Sequence, residues 1–471
     1  MWQNSGVTLE QLEQEIERLR TENSELRRQL AVALERIVEL EAGVKTPKSP
    51  PVFVKAKRPQ PDGERSPRKP RAAEHNTSRK RAEPTRIERH ALERCPDCSY
   101  PLRGESLDYS RQVVELPEPA PVEVIEHQVI KRWCPVCQSW HSPQLDLAGQ
   151  VLGQGRIGVR IASLVVYLRT TLRLPVRQVQ GYLQTLHNLN LSVGEIVELA
   201  HDVRQKLQPQ ADGLLEQVNA SPIVHADETG WREGGQNGYL WTVVIPGPTA
   251  VRYYEYAANR SHRVILRLLG ERFRGVLVTD FYSAYNLVPG QHQRCWVHLL
   301  RDLHALKAEL AENPLVMAWA LAVRTLYDEA HAWLSTHATA TPQERRSQYA
   351  DLYRRACELG GQHAFDGGHP CHVLAKRLLR HQDELFQFVL VPGLSADNNL
   401  AERSIRPLVI TPHRSARGAG VRKISGGTRS PEGSKTRLTL ASLLGTWVAR
   451  HLNPFLECLA QLKQPAAVAS P

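Results

Sequence analysis

Apolar residues recur with several different periods along the 471-residue chain, and each period predicts a different kind of element. Near the N-terminus the period is seven, and the apolar series has one polar member, Asn23. Heptads of this kind predict a coiled coil, and a lone Asn in an a position favours a two-stranded register. Residues 1–43 are therefore predicted to join two or more copies of the chain through a zipper; the alternative is a helix that folds back on its own domain. The heptad core positions are Leu9, Leu12, Ile16, Leu19, Asn23, Leu26, Leu30, Ala33, Ile37 and Leu40.

Residues 149–220 follow a helical period. Ile157, Ile161 and Leu164 begin one apolar stripe, residues 176–186 fit a second helix, and Ser192-Val-Gly-Glu195 is a capping box that opens a third. The last two helices and their polar turn fit a helix-turn-helix, which would place Ser192 to Val203 in the major groove of DNA. A plain helical bundle explains the same spacing, so both interpretations stay open.

From residue 221 the pattern becomes strand-like. The predicted strands cover residues 221–227, 239–245, 251–256, 276–280 and 293–297, with a helix over 260–269 between the third and the fourth. Residues 299–393 are helical in pattern, and a helix that contains Glu402 follows. Three antiparallel strands, a helix and two further strands are the order of a ribonuclease-H-like α/β core. We therefore predict such a core in two parts, 221–298 and 394–471, with a helical insertion between them.

Residues 44–90 are distinguished by their positive charge and their many prolines. This segment contains 14 Lys or Arg against 5 Asp or Glu, and eight prolines, in a chain whose formal net charge is +11. Its composition predicts a disordered linker, either a solvated spacer or an arm that binds DNA non-specifically, and we favour the arm. No apolar run reaches the ~18 residues of a membrane span, and the N-terminus lacks a signal-peptide pattern. We therefore expect a cytoplasmic protein with reduced thiols that is not associated with a membrane.

Four cysteines form two Cys-x-x-Cys motifs. Cys95 and Cys98 are separated from Cys134 and Cys137 by 35 residues. Four thiolates from two such motifs can form a closed tetrahedral Zn²⁺ site, which stabilises a small domain without a core of its own. We predict a zinc ribbon over residues 91–148, with strands at 113–116 and 122–129 between the motifs; a redox pair is the alternative, but it lacks a βαβ context.

Three carboxylates lie at the ends of two predicted strands and on a predicted helix. Asp227 and Asp280 end the first and fourth predicted strands, which are neighbours in the predicted core, and Glu402 lies on the helix that follows. Two Mg²⁺ or Mn²⁺ ions about 4 Å apart can clamp a phosphodiester, and converging carboxylates can hold them. Taken singly, each acid has a plainer interpretation: Asp227 as a turn residue, Asp280 as a helix cap, and Glu402 as an i,i+4 partner of Arg406.

Other polar residues accompany these acids. Asn398 is expected to hydrogen-bond within the site from one turn before Glu402. His298 and Arg301 are expected to point at the same cleft, although His298 also suits a structural hydrogen bond. Arg403 and Arg406 are expected to contact phosphate. Glu228 is expected on the opposite face if the first strand continues.

Four strings in the sequence resemble the signatures of insertion sequence sixty-six transposases of the DDE class. These strings are HADETGW, TDFYSAYN, CWVHLLRDL and DNNLAERSIRP, at residues 225–231, 279–286, 295–303 and 397–407. The resemblance extends to the zipper, the basic linker, the paired cysteine motifs and the helical insertion. It implies that Asp227, Asp280 and Glu402 ligate two Mg²⁺ ions and that the enzyme cuts transposon ends and joins them to target DNA. Residues 415–434, rich in Gly, Arg and Lys, depart from the family pattern.

The resemblance implies double-stranded DNA as partner, multimers formed through the zipper, and accessory transposition proteins. Two other functions remain open. A non-catalytic regulator derived from a transposase would keep the zipper and the cysteines but lose a carboxylate, and all three carboxylates are present here. Another ribonuclease-H-like nuclease, such as a junction resolvase, would share the acids without needing the zipper or the zinc ribbon.

Overall fold

The computed structural model describes residues 82–414, 421–423 and 427–464, with the side chains of 410–426 excepted, and also Arg18, Thr21 and Glu22. The chain divides into two units, Met1–Lys80 and Arg81–Pro471. The predicted zipper therefore lies outside the described residues, apart from Arg18, Thr21 and Glu22, which are helical. Most of the predicted linker also lies outside them, and its last residues, 82–90, are exposed and have no regular secondary structure.

The second unit contains short strands, a large sheet and many helices. In chain order its main elements are β1 (Arg132–Cys134), β2 (Ser139–His141), α1 (Val159–Thr170), α2 (Val176–His187), α3 (Val193–Lys206), α4 (Gln208–Asn219), β3 (Ile223–Glu233), β4 (Gln236–Ile245), β5 (Val251–Ala257), α5 (His262–Leu269), β6 (Val276–Thr279), β7 (Gln291–Arg294), α6 (Trp296–Glu309), α7 (Pro314–Thr336), α8 (Pro342–His363), α9 (His372–Arg380), α10 (Gln387–Leu390), α11 (Asn399–Val409), β8 (Ile410–Arg414), β9 (Val421–Lys423), β10 (Gly427–Thr428), α12 (Pro431–Ala449) and α13 (Pro454–Lys463). Among the described residues, no helix is both long enough and apolar enough to cross a membrane.

The largest sheet has the strand order β5-β4-β3-β6-β7. Strands β3, β4 and β5 are antiparallel neighbours, whereas β6 and β7 run parallel to β3. Strand β10 adds a short parallel pairing at the end of β3, where Gly427 and Thr428 lie beside Arg232 and Glu233. The mixed sheet and the many helices agree with the predicted α/β class.

Helices cover both faces of this sheet. Val224 and Leu277 point into a core that includes residues of α1–α5, α12 and α13. Val276 and Val278 point to the opposite face, into a core formed with α6–α10. The helical insertion therefore packs on one face of the sheet next to β6, and it has an apolar core of its own.

Strand β3 is longer than the sequence predicts. The prediction ends it at Asp227, but it continues to Glu233 and turns into β4 through Gly234 and Gly235. Both glycines have positive φ, +56° and +87°, as a two-residue hairpin turn of type I′ requires. Asp227 therefore lies inside a strand, and its interpretation as a turn residue is wrong.

Other boundaries also differ from the prediction. Strand β4 begins earlier, at Gln236, and β6 ends at Thr279, so Asp280 follows the strand instead of ending it. Strand β7 spans Gln291–Arg294, earlier than the predicted 293–297, because helix α6 already begins at Trp296. The helix predicted over 260–269 begins at His262, where the Ser261 side chain accepts a hydrogen bond from the Arg263 N–H and caps the first turn.

The strands predicted between the cysteine motifs are wrong. Residues 102–131 contain no regular secondary structure, and their apolar side chains are exposed, with 88% of Val114 and 87% of Val124 accessible. Alternating apolar residues stabilise a strand through cross-strand contacts, and the described residues place no partner strand beside this segment. The hairpin β1–β2 forms instead, around the second motif.

Candidate functional site

Asp227 and Asp280 lie side by side. His225 in β3 is paired with Val278 in the parallel strand β6, so two residues further along Asp227 and Asp280 are level with each other. Side chains alternate along a strand, so Asp227 lies on the face of β3 on which Val278 packs, whereas Asp280 directly follows the last residue of β6.

The sheet opens next to Asp227. Strand β3 pairs with β6 as far as His225 and with β10 from Arg232, and among the described residues no strand pairs with 226–231 on that side. Helix α11 contacts β3 here, because the Asn398 amide donates a hydrogen bond to the Ala226 carbonyl at 2.7 Å. Gaps at the carboxyl ends of parallel strands are common positions for ligand sites in α/β sheets.

Asn398 connects three parts of the site. Its side chain and backbone are buried, its N–H donates to the Cys295 sulfur at 3.2 Å, and its Oδ1 lies 3.3 Å from Nδ1 of His225. Its carbonyl accepts the N–H of Glu402 at 3.2 Å, which begins helix α11. Burial lowers the pKa of His225 to about 4, so this ring is neutral near pH 7. Asn398 thus holds the Glu402 helix against β3 and the end of β7.

Glu402 faces Cys295 and His298. Its Oε1 is 3.7 Å from Nε2 of His298, and one ligand atom from each of the three residues lies within 4.8 Å of the others. Glu402 Oε1 and His298 Nδ1 are buried without a hydrogen-bond partner among the described residues. In the described part of the chain, Glu402 pairs with His298 and forms no ion pair with Arg406, so its interpretation as an i,i+4 partner of Arg406 is wrong.

The environment of Asp227 is strongly acidic. Burial first, and then the charges of Glu228, Asp280 and Glu402, raise the pKa of Asp227 to about 8, although a hydrogen bond from the Glu228 N–H at 2.9 Å partly opposes this. The effect of the Asp280 and Glu402 charges on Asp227 indicates that the three predicted acids share one region. Among the described residues, however, the compact group of ligand atoms around Glu402 includes neither Asp227 nor Asp280.

Asp280 also has a local structural role. One of its oxygens accepts the N–H of Tyr282 at 2.9 Å, at the start of a 3₁₀ turn, Ser283–Leu287. Tyr282 is the N-cap of that turn and no side chain caps it, so Asp280 forms a local turn ahead of the 3₁₀ helix and the interpretation as a helix cap is wrong.

Glu228 lies on the opposite face of β3, as expected for a continuing strand. Its carboxylate accepts hydrogen bonds from the Tyr285 hydroxyl and from Arg260, whose Nε lies 2.7 Å away. The Arg260 guanidinium also lies over the Tyr282 ring, 3.7 Å from its centre. Burial raises the pKa of Glu228, while the bonds from Tyr285 and Arg260 oppose the rise.

Arg294 links the site to the helical insertion. This fully buried guanidinium donates to the Asp280 carbonyl at 3.0 Å, to Asn286 at 2.7 Å and to Glu384 at 2.6 Å. Burial alone would raise the pKa of Glu384, but hydrogen bonds from His381 and Arg294 lower it to about 2. Arg294 therefore fixes the backbone that follows β6. Its ion-pair partner, Glu384, belongs to the helical insertion and lies outside the sheet.

The arginines predicted to contact phosphate lie on the surface. Arg301 is exposed on α6, and Arg403 and Arg406 are exposed on α11. Arg403 and Arg406 are nearly one turn apart, so the helix that carries Glu402 also presents two cations to solvent.

The two cysteine motifs form matching turns. In both, the residue after the second cysteine has positive φ, +59° at Ser99 and +47° at Gln138. Hydrogen bonds from backbone N–H groups, those of Asp97 and Cys98 in the first motif, lower the pKa of Cys95, and the equivalent bonds lower that of Cys134. The described residues do not bring the four sulfurs together into a group of ligand atoms within 4.8 Å.

Sequence reasoning missed Arg260 and Arg294. Their acidic partners, Glu228 and Glu384, are 32 and 90 residues away in the chain, so no local spacing reveals the pairs. A cation inside a predicted buried strand was the available signal for Arg294, because a buried charge requires a partner.

The chain was compared with known proteins. The profile of the Transposase IS66 family matches residues 154–429, more than half of the chain. The uncharacterized protein y4qI of Sinorhizobium fredii is 28% identical over 287 residues, 54% of this chain and 50% of the relative. The uncharacterized protein y4jO of the same organism is 27% identical over 179 residues, 38% of this chain and 49% of the relative. The chain thus spans about half the length of these curated relatives. The match over 154–429 establishes that the chain belongs to the IS66 family of transposases.

Proposed function

We propose that the chain is a DDE transposase, which cuts the ends of its transposon and joins them to target DNA by two-metal phosphoryl transfer. The observation that carries this proposal is the position of Asp227 in β3, level with Asp280 at the end of β6 where the sheet opens, with the charges of Asp280 and Glu402 acting on Asp227. The strand order, three antiparallel strands followed by two parallel ones, supports the ribonuclease-H-like assignment of the core.

The residues fit a pair of divalent cations. Burial first, and then the neighbouring carboxylates, raise the pKa of Asp227, and a cation bound there would favour its charged form. Glu402 Oε1 is buried without a partner, which leaves one acceptor for a metal. We assign Asp227, Asp280 and Glu402 as ligands of two Mg²⁺ or Mn²⁺ ions. When bound, such ions lower the pKa of an attacking water and stabilise the leaving oxygen.

The remaining residues position these ligands and the DNA. Asn398 fixes the start of α11 against β3, and the His298 ring lies beside the Glu402 carboxylate, with its Nε2 3.7 Å from Oε1. For Asp227 and Glu402 to bind the same cation, the Glu402 side chain must turn from His298 toward Asp227. Arg301, Arg403 and Arg406 are available at the surface for phosphate contacts.

We also propose a structural Zn²⁺ held by Cys95, Cys98, Cys134 and Cys137. The matching turns and the lowered pKa values of Cys95 and Cys134 support this, because thiolates are the form that binds zinc. Metal analysis of the purified protein should find one zinc per chain, with Cys134→Ser losing it and Cys371→Ser keeping it. A wild-type protein without zinc would contradict the proposal.

The catalytic proposal is tested with Asp227→Asn. The substrate is a duplex that carries the DNA flanking the reading frame on either side, incubated with Mg²⁺ or Mn²⁺. We expect Asp227→Asn to lose cleavage and strand transfer by a factor of at least ~1,000, while circular dichroism and DNA binding stay near the wild-type values. Asp212→Asn, at an exposed acid on α4, is the matched control and should cut normally.

The outcomes separate the candidate functions. Cleavage by Asp227→Asn at the wild-type rate would contradict the metal assignment. A wild-type protein that binds the ends but never cuts them would indicate the regulator instead. Preferential cutting of four-way junctions over transposon ends would indicate a junction resolvase.

A further inference from the structure

One long part of the chain is free of acidic residues. No Asp or Glu occurs between Asp146 and Glu195, whereas five arginines do. This part folds into helices α1 and α2 and the turn between them. The arginines are Arg156, Arg160, Arg169, Arg173 and Arg177. Arg160 and Arg177 are exposed, whereas Arg156 pairs with the Glu195 carboxylate at 3.3 Å and Arg169 is half-buried and donates to the Leu174 carbonyl. An exposed surface that carries cations is complementary to a polyphosphate.

Helix α2 presents one polar face to solvent. Val179 and Leu183 are its buried residues. The residues exposed on the other side are spaced by three or four along the helix, and all are cationic, neutral polar or glycine: Arg177, Gln178, Gly181, Gln184 and Thr185. Arg pairs with the major-groove edge of guanine and Gln with that of adenine, so the face carries the side chains that read base edges.

Gly181 lies in the middle of this face. A Cβ at this position would meet no atom within 4 Å, so internal packing does not require the glycine. Glycine inside a helix costs about 0.5–1 kcal/mol relative to alanine. Because packing does not require this glycine, its lack of a side chain leaves room for the close approach of another molecule.

Helix α3 is a poorer candidate for DNA contact. Its exposed first half consists of Val193, Gly194, Glu195, Val197 and Glu198, and includes no cation. Carboxylates at the front of a helix would repel the phosphates on both sides of a groove. The hypothesis that residues 192–203 enter the major groove is therefore disfavoured.

The position of α2 in the chain suits contact with DNA bases better than the position of α3 does. Helix α1, the turn 171–175 and α2 follow one another in the order of a helix-turn-helix, a motif in which the first residues of the second helix reach the bases. The opposite end of α2 is covered, because the Val122 N–H donates to the His187 carbonyl at 3.1 Å and the His187 ring lies 3.1 Å from the Ala120 carbonyl. The N-terminal half, with Arg177 and Gln178, stays open.

We propose that the exposed face of α2 reads the sequence of double-stranded DNA, with Arg177, Gln178 and Gln184 contacting base edges and phosphates. The proposal rests on the proposed function for the kind of partner, and it adds the surface that recognises it. Binding and cutting are separate measurements, so a failure of one is distinguishable from a failure of the other.

The test is selection from a library of randomised duplexes by the full-length protein. The wild type should enrich a sequence motif. Arg177→Ala and Gln178→Ala should each bind that motif roughly tenfold to a hundredfold more weakly, with little change for random duplexes in the case of Gln178→Ala. If Arg177 contacts phosphate instead, Arg177→Ala should lower the slope of log affinity against log salt by about one.

Matched variants control for folding. Gly181→Leu should block the face and abolish enrichment, whereas Gly213→Leu on α4, where a Cβ also meets no atom within 4 Å, should not. Glu198→Ala on α3 should enrich the wild-type motif. Asp227→Asn should do the same, whether or not the wild type proves to cut DNA.

Three results would overturn the proposal. The first is a wild-type protein that enriches no motif. The second is an unchanged motif and affinity in Arg177→Ala, Gln178→Ala and Gly181→Leu, which would leave the face to another partner such as an acidic protein. The third is a loss of the motif in Glu198→Ala, which would return the reading role to α3.

Discussion

Asp227 and Glu228 are neighbours in the sequence, but the pleat of β3 sends their side chains to opposite faces of the sheet. The charges of Asp280 and Glu402 act on Asp227, whereas Glu228, on which the Asp280 charge also acts, is held by Arg260 and Tyr285. The two acids therefore have different environments although both are buried. We assign only Asp227 to metal binding.

Glu228→Gln tests this division. We expect the variant to retain cleavage within about tenfold of wild type and to lose about 1 kcal/mol of unfolding free energy, because the bonds from Arg260 and Tyr285 weaken. Cleavage assays and denaturant unfolding measure the two quantities. Complete loss of cleavage in a folded variant would place Glu228 among the metal ligands.

At the residue scale, the sequence indicates the three candidate metal-binding acids more readily than the residues that hydrogen-bond around them. The motifs around Asp227, Asp280 and Glu402 are local strings, and pleat alternation places Glu228 correctly. Arg294 and its partner Glu384 depend on a contact across the helical insertion, which no local pattern encodes. Cys295 has no paired cysteine spacing, and its contact with the Asn398 N–H depends on how the strands align.

At the scale of elements, the sequence predicts which strands and helices of the core exist, but not all their limits. The prediction for β3 stops at a polar residue, whereas pairing with β4 carries the strand on to Glu233. The segment 102–131 shows the opposite error, because its alternation predicts strands that find no partner. In both cases tertiary pairing decides the outcome.

The ion pair of Glu384 with Arg294 joins the insertion to the sheet. Glu384→Gln should lower the unfolding free energy by about 3 kcal/mol at pH 7, because the fully buried Arg294 loses its charged partner. Since the pKa of Glu384 is lowered, its contribution is complete above its ordinary value of 4.5 and disappears as the pH falls through about 2. The difference between wild type and variant should therefore shrink between these two values.

Denaturant unfolding at several pH values measures this difference. Glu358→Gln is the matched control, because Glu358 pairs with Arg354 on an exposed part of α8 and should contribute less than about 0.5 kcal/mol. A Glu384 effect that stays constant down to pH 2.5 would contradict the role of the ion pair.

At the scale of the whole molecule, the heptads of residues 1–43 predict that copies of the chain associate. Leu12→Glu combined with Leu19→Glu should reduce the assembly to a 53.1 kDa monomer, because charges in core positions destabilise the zipper. Sedimentation velocity measures the mass. Ser24→Glu, outside the core positions, should leave it unchanged, and a double variant that stays assembled would refute the zipper as the dimerising element.

The proposals for the whole chain place cutting and reading on different elements. The acids belong to the opening of the sheet and to α11, whereas the DNA-reading face belongs to α2. Variants of the two surfaces should therefore affect catalysis and sequence preference independently.

The central claim is that Asp227, Asp280 and Glu402 together bind divalent cations. Crystals of the full-length protein soaked in Mn²⁺ would show the ions directly in an anomalous difference map. The account predicts peaks coordinated by Asp227 with Asp280 and by Asp227 with Glu402, and no such peaks in crystals of Asp227→Asn. A peak held only by Cys295, His298 and Glu402, or no peak next to Asp227 in the wild type, would contradict it.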